Sequence, residues 1–199
     1  GYEAHSSQTH RGVSAVMTAA KLINWLSERE ARFRDATPTN NGFLPHHTTV
    51  HSGVVHGGTA LNIISRQCEF LWDVRVVPGE NALSVFEEFQ AFCQEVILPK
   101  MRSVHQDSDI QTTILADTPP LQEVADSPAL KLAQDLAGNT VRSRVAYAAE
   151  AGQFQEAGFP TVICGPGSID QAHQPNEFIS IDQMEQEEKF LRKLIQHLS

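Results

Sequence analysis

Residues 67–79, QCEFLWDVRVVPG, alternate strictly: Cys68, Phe70, Trp72, Val74 and Val76 point one way, and Glu69, Leu71, Asp73 and Arg75 the other. A period of two is that of a strand with one face buried, and Pro78-Gly79 ends it. Upstream, 48–55 is rich in β-branched residues and predicts a second strand, with Gly53, Gly57 and Gly58 as bends or points of close backbone approach. Before it, 35–45 (DATPTNNGFLP) is a surface loop. That loop stops an amphipathic helix over 13–34, whose apolar stripe is Val13, Val16, Met17, Ala20, Ile23 and Leu26. Residues 1–7 are short and turn-rich. Downstream, Ser84-x-x-Glu87 reads as a capping box opening a helix that carries Val85, Phe89, Phe92, Cys93 and Val96, and 109–115 is a further β-like run before Pro119-Pro120. Strand, helix, strand, strand, helix, strand predicts an α+β, ferredoxin-like domain over residues 1–117.

Beyond Pro-Pro the texture becomes α/β. Ser127-Pro128 and Gly138-Asn139 bound a helix of about ten residues. A strand over 141–146, a short helix over 149–157 and a compact apolar strand over 159–164 follow. Then comes the polar loop 165–178, GPGSIDQAHQPNEF, and a terminal helix over 182–198 with Met184, Leu191, Leu194, Ile195 and Leu198 on one face. A loop leaving the carboxyl end of a strand is where such folds place ligands. Residues 118–199 therefore read as a second domain segment.

The chain has 199 residues, 41% of them hydrophobic and 20% charged, enough for a sizeable core. Lys plus Arg number 15 against 24 Asp plus Glu, and the net charge of −9 argues against nucleic acid and anionic membrane as partners. No apolar run approaches the roughly 18 residues of a membrane span, and no secretory signal opens the chain. Cys68, Cys93 and Cys164 lie far apart in apolar stretches and read as buried thiols in a reducing compartment. A soluble, cytoplasmic protein is expected.

Nine histidines compete for a chemical role. His46, His47, His105 and His197 read as surface or merely hydrogen-bonded, His51 and His56 flank the glycine-bearing strand, and His10 stands beside His5 in a helix lead-in. His105-Gln106-Asp107, Glu87-Glu88 and Glu187-Glu188 read as solvated faces. His173 is distinguished by the sharp Gly165-Pro166-Gly167 bend before it and by Asp170 and Glu177 around it, a setting that suits a metal ligand. One histidine cannot hold a metal, since a catalytic zinc needs about three protein ligands. Arg75 either clamps a carboxylate or pairs with Asp73 at the surface. Asn62, after Gly57-Gly58, reads on residues alone as tying down a turn.

Three segments occur in order: GYEAHSSQTHRGVSAV, GVVHGGTALNIISRQCEFLWDVRVVPG and AEAGQFQEAGFPTVICGPGSIDQAHQPNEFI. Together they resemble the aminoacylase and carboxypeptidase clan of co-catalytic zinc hydrolases, most closely its acetylornithine deacetylase branch, over essentially all 199 residues. The resemblance implies a ferredoxin-like lid that also forms a homodimer contact (1–117), followed by the C-terminal part of a zinc-hydrolase α/β catalytic domain (118–199). It implies that His173 is a metal ligand and that Gly165 and Gly167 line the substrate pocket. His5 would reach the neighbouring subunit's site to stabilise an oxyanion, with Asn62 near it, and Arg75 would hold the substrate carboxylate. The implied reaction is hydrolysis of an N-acyl amino acid, N-acetylornithine to ornithine and acetate in arginine biosynthesis, with two zinc ions or cobalt. Succinyl-diaminopimelate and dipeptides are the alternative substrates, and a non-catalytic dimerisation and ligand-binding module is the alternative class.

The sequence departs from the family pattern at Thr9, Ser14 and Ser65, where Pro, Asn and Pro are frequent. The family's upstream His-x-Asp pair, bridging Asp, Glu-Glu with its general base, and further carboxylate ligand have no counterpart. The resemblance thus implies a chain that starts within the lid's first strand, part of a longer enzyme. By itself such a chain is expected neither to bind two zinc ions nor to hydrolyse an amide.

Overall fold

The computed structural model describes residues 1–145 and 149–199. The fold is mixed α+β with a small two-stranded sheet, and the chain divides into two units. The first is Gly1–Asp117 with a short return starting at Arg144; the second is Thr118–Ser143 with Ala149–Ser199.

In the first unit, α1 (Ala15–Ala36) starts where the Ser14 hydroxyl accepts the Met17 N–H, and it stops just before Thr37-Pro38. Its buried face is Ala19, Leu22 and Leu26, whereas Val16, Met17 and Ala20 are exposed. The predicted stripe is therefore rotated. Apolar residues ring much of this helix, and the position of the sheet decides which of them turn inward.

Strands β1 (Thr49–Gly57) and β2 (Cys68–Arg75) pair antiparallel, from Thr49 opposite Arg75 to Gly57 opposite Cys68, with an irregularity at Gly53. Strand β2 shows the predicted alternation, half-buried at Cys68, Phe70, Trp72 and Val74 and exposed between them. Helix α2 (Ala82–Phe92) is capped by Asn81, whose side chain accepts the Leu83 N–H; the Ser84 hydroxyl donates to the Asn81 carbonyl instead of forming a capping box. A π turn, Cys93–Ile97, leads into α3 (Leu98–Arg102). It sits directly before Pro99, which has no N–H to continue the α ladder. Phe89 is the hub of the core, with Trp72 at 5.0 Å, Trp25 at 5.7 Å and Phe70 at 6.5 Å between ring centroids.

The four-stranded ferredoxin-like sheet is realised as this ribbon plus two isolated bridges, Tyr2 to Val13 and His5 to Ile63. Residues 109–115 form no strand, although Ile110 packs against the core.

The second unit holds α4 (Pro128–Ala137), α5 (Ala151–Glu156) and α6 (Ile181–Leu198). Ser127 caps α4 and left-handed Gly138 closes it; Ser180 and Gln183 form a capping box on α6. The strands expected at 141–146 and 159–164 are not formed at 141–145 or 159–164, and Ala146 lies outside the described residues. A strand exists only by pairing, and among the described residues these segments have no partner.

Candidate functional site

His5 and Asn62 come together. The main chain around His5 is held on Asn62's segment: the Ser6 N–H donates to the Asn62 carbonyl at 2.9 Å, and the Ile64 N–H to the Ala4 carbonyl at 2.8 Å. The Gly57-Gly58 bend makes this approach possible. Gly58 is left-handed (φ +82°), and a Cβ on Gly57 would lie 3.0 Å from the Cys68 Cα. Both His5 and Asn62 are exposed, and the Asn62 side chain has no partner among the described residues. The His5 Nδ1 lies 2.8 Å from the Ser7 hydroxyl and accepts the Ser7 N–H at 3.3 Å.

Arg75 is not part of that corner. It ends β2 opposite Thr49, about 23 Å of strand rise from Cys68, and its Nη2 donates to the Asp73 carboxylate at 3.4 Å. Both side chains are about half exposed, so the pair is screened by water and leaves guanidinium donors free.

In the second unit, Gly165, Gly167 and His173 share one exposed loop. Gly167 has φ +101°, Ser168 caps the short turn Ile169–Gln171, and His173 itself is left-handed at φ +59°. The His173 N–H donates to the Glu177 carboxylate at 3.0 Å. Among the described residues no three His, Cys, Asp or Glu side chains are grouped to hold an ion. The donor set among the described residues therefore does not fit a two-metal centre by itself, and His173 is at most one ligand of one.

Other expectations separate in the same way. His47 is buried and its Nε2 lies 3.0 Å from Glu30, a structural role. Cys93 is buried, and burial pushes its thiol up to about 11. Cys68 is half-buried, but Cys164 is exposed, against expectation, in a segment that joins no sheet among the described residues. Its thiol is raised by desolvation and then by the nearby charge of Glu187. The sequence reading missed Ser7, whose signal was its place two residues after His5. It also missed Gln171, whose buried side-chain oxygen has no partner among the described residues.

The peptidase dimerisation domain model matches residues 1–101, which contain α1, the β1–β2 ribbon and the His5–Asn62 corner. The chain belongs to the peptidase dimerisation domain family. Within and beyond that family domain, the chain is 29% identical over 203 residues to an acetylornithine deacetylase of Myxococcus xanthus, covering 99% of this chain and 50% of that protein. It is 31% identical over 196 residues to an acetylornithine deacetylase of Aliivibrio fischeri MJ11, covering 98% and 50%. A solved tripeptidase of Staphylococcus aureus shares the fold at a TM-score of 0.69 with 21% identity, over 98% of this chain and 48% of that one. The chain spans about half the length of the curated relatives it matches.

Proposed function

We propose that the whole protein is a metal-dependent amide hydrolase that removes the acyl group of an N-acyl amino acid, N-acetylornithine yielding ornithine and acetate. The observation that carries this reading is the His5–Asn62 corner, in a chain alike from end to end to proteins named acetylornithine deacetylase. In this reading His5 donates a hydrogen bond to the scissile carbonyl oxygen as negative charge develops there, and Asn62 offers its free amide beside it. Arg75 grips the substrate carboxylate, for which its planar fork is suited. The Gly165–Gly167 bend lines the acyl pocket, and His173 contributes one ligand to a metal site, with zinc as the proposed ion. The proposed assembly is a homodimer through residues 1–117, with 118–199 belonging to the catalytic domain.

No helix among the described residues is long and apolar enough to cross a membrane. The proposed compartment is the cytoplasm, in line with three free thiols.

The test is acetate release from N-acetylornithine by the purified whole protein. His5→Ala is expected to lower kcat about 10²–10³-fold, and His173→Ala to remove bound metal together with activity. Retention of both metal and turnover in His173→Ala overturns the ligand assignment. Succinyl-diaminopimelate and dipeptides in the same panel decide the substrate. A second reading, a non-catalytic dimerisation and ligand-binding module, is favoured for the 199-residue chain alone because no three possible ligands are grouped among the described residues; turnover by that chain alone eliminates it.

A further inference from the structure

The ring of His5 is fixed at one nitrogen only. A main-chain N–H can donate but never accept, so the Ser7 N–H at 3.3 Å requires a lone pair on His5 Nδ1. The Ser7 hydroxyl at 2.8 Å then donates to the same atom. The neutral ring must carry its proton on Nε2, because one imidazole nitrogen donates when the other accepts.

The backbone holds this arrangement in place. The Gln8 N–H donates to the His5 carbonyl at 2.8 Å, closing a tight turn over His5–Gln8, and the bridge to Ile63 fixes the chain before that turn. A side chain at the first turn position accepting from the N–H two residues on is the geometry that Asn and Asp adopt in turns. Here an imidazole takes that place. His5 Nε2 has no partner among the described residues.

We propose that Ser7 is a positioning residue that locks His5 in the Nε2–H form, so that His5 meets substrate as a neutral hydrogen-bond donor and not as a proton acceptor. This rests on the reading of His5 given under the proposed function, and it specifies the group that His5 recognises: a carbonyl or oxyanion oxygen, which accepts from Nε2–H. A ring with its lone pair engaged at Nδ1 and its proton at Nε2 has no free base to activate water.

The test separates the two readings. Histidine-ring 1H–15N correlation spectra of the 199-residue chain, recorded above the imidazole titration range and assigned with His5→Gln, report the tautomer directly without requiring turnover. Expected are a pyridine-type Nδ1 and a pyrrole-type Nε2 for His5, more fully biased than for exposed His10. Ser7→Ala keeps the main-chain N–H and removes the hydroxyl at 2.8 Å, so it moves the His5 signals part of the way toward those of His10, and Ser7→Thr restores them. A pyrrole-type Nδ1 in the unaltered chain, or His5 signals unmoved by Ser7→Ala, overturns the proposal. In the whole protein, Ser7→Ala is expected to lower kcat about tenfold with KM unchanged, and Ser7→Thr to recover it. Failure of N-acetylornithine to turn over at all sinks the functional reading and leaves the tautomer result standing.

Discussion

Helices α2 and α6 are both amphipathic, yet they end in opposite circumstances. Helix α2 buries Val85 and Phe89 almost completely, at 0% and 1% exposure. Helix α6 is longer and has a clean apolar stripe, but buries no residue at all; Leu191 stays 47% exposed and Ile195 64%. Each unit contains helices, but among the described residues only the first supplies a sheet face for its helices to close on. The contrast shows that an apolar stripe is an offer of burial, taken up only where a facing surface exists.

The sharpest way to break this contrast is Phe89→Ala. Removing the ring on which Trp25, Trp72 and Phe70 converge is expected to destabilise the first unit by about 3–5 kcal/mol. Both tryptophans lie in that unit, so urea unfolding followed by their fluorescence reads it alone. A loss under about 1 kcal/mol contradicts the central place given to Phe89.

Gly57→Ala tests the approach of the two strand ends. The added methyl meets the Cys68 backbone at 3.0 Å, so a cost of about 1–3 kcal/mol is expected in the same transition, with disturbed amide signals at Ser6 and Asn62.

The thiols probe the comparison through pH. The folded Cys93 thiol is held at about 11, above its ordinary 9.0, so the folded state retains a proton that the unfolded state releases. Its contribution is complete below pH 9.0 and is lost as pH rises toward about 11. Cys93→Ala is expected to flatten the alkaline fall in stability over that window. At neutral pH an alkylating reagent should label exposed Cys164 first and buried Cys93 only on unfolding; the reverse order contradicts the burial described. The smallest effect belongs to Leu191→Ala on α6, expected at about 0.5 kcal/mol in the isolated chain because the side chain is already 47% exposed and only partial burial is lost.

Legibility followed the range of the interaction that sets each feature. Strand β2 could be read residue by residue, because alternation is written into one short stretch, although the strand stops at Arg75 and not at the Pro78-Gly79 turn. The cap at Ser127 was similarly local, whereas those at Ser14 and Ser180 went unread and Asn81 displaced Ser84 on α2, where two polar residues compete within one turn. The inward stripe of α1 could not be read, since Val16 and Met17 are as apolar as Leu22, and only the sheet's position turns one set in. Strands 109–115 and 159–164 failed for a related reason: their composition permits pairing, but a neighbour must supply it. Of the candidate site, His5 and Asn62 were legible only through the likeness of whole segments, because 57 positions separate them and spacing at that distance carries no geometry.

By itself the sequence determined the period of each element, most of its stops and the residue types offered for chemistry, because these depend on neighbours within a turn or a strand. The tertiary structure decided which helix face is core, which strands exist, that His5 and Asn62 meet while Arg75 stands at the far end of β2, and that Ser7 holds the His5 ring. Those outcomes depend on pairing and packing between distant segments, where burial and hydrogen bonding are settled by whatever surface arrives opposite.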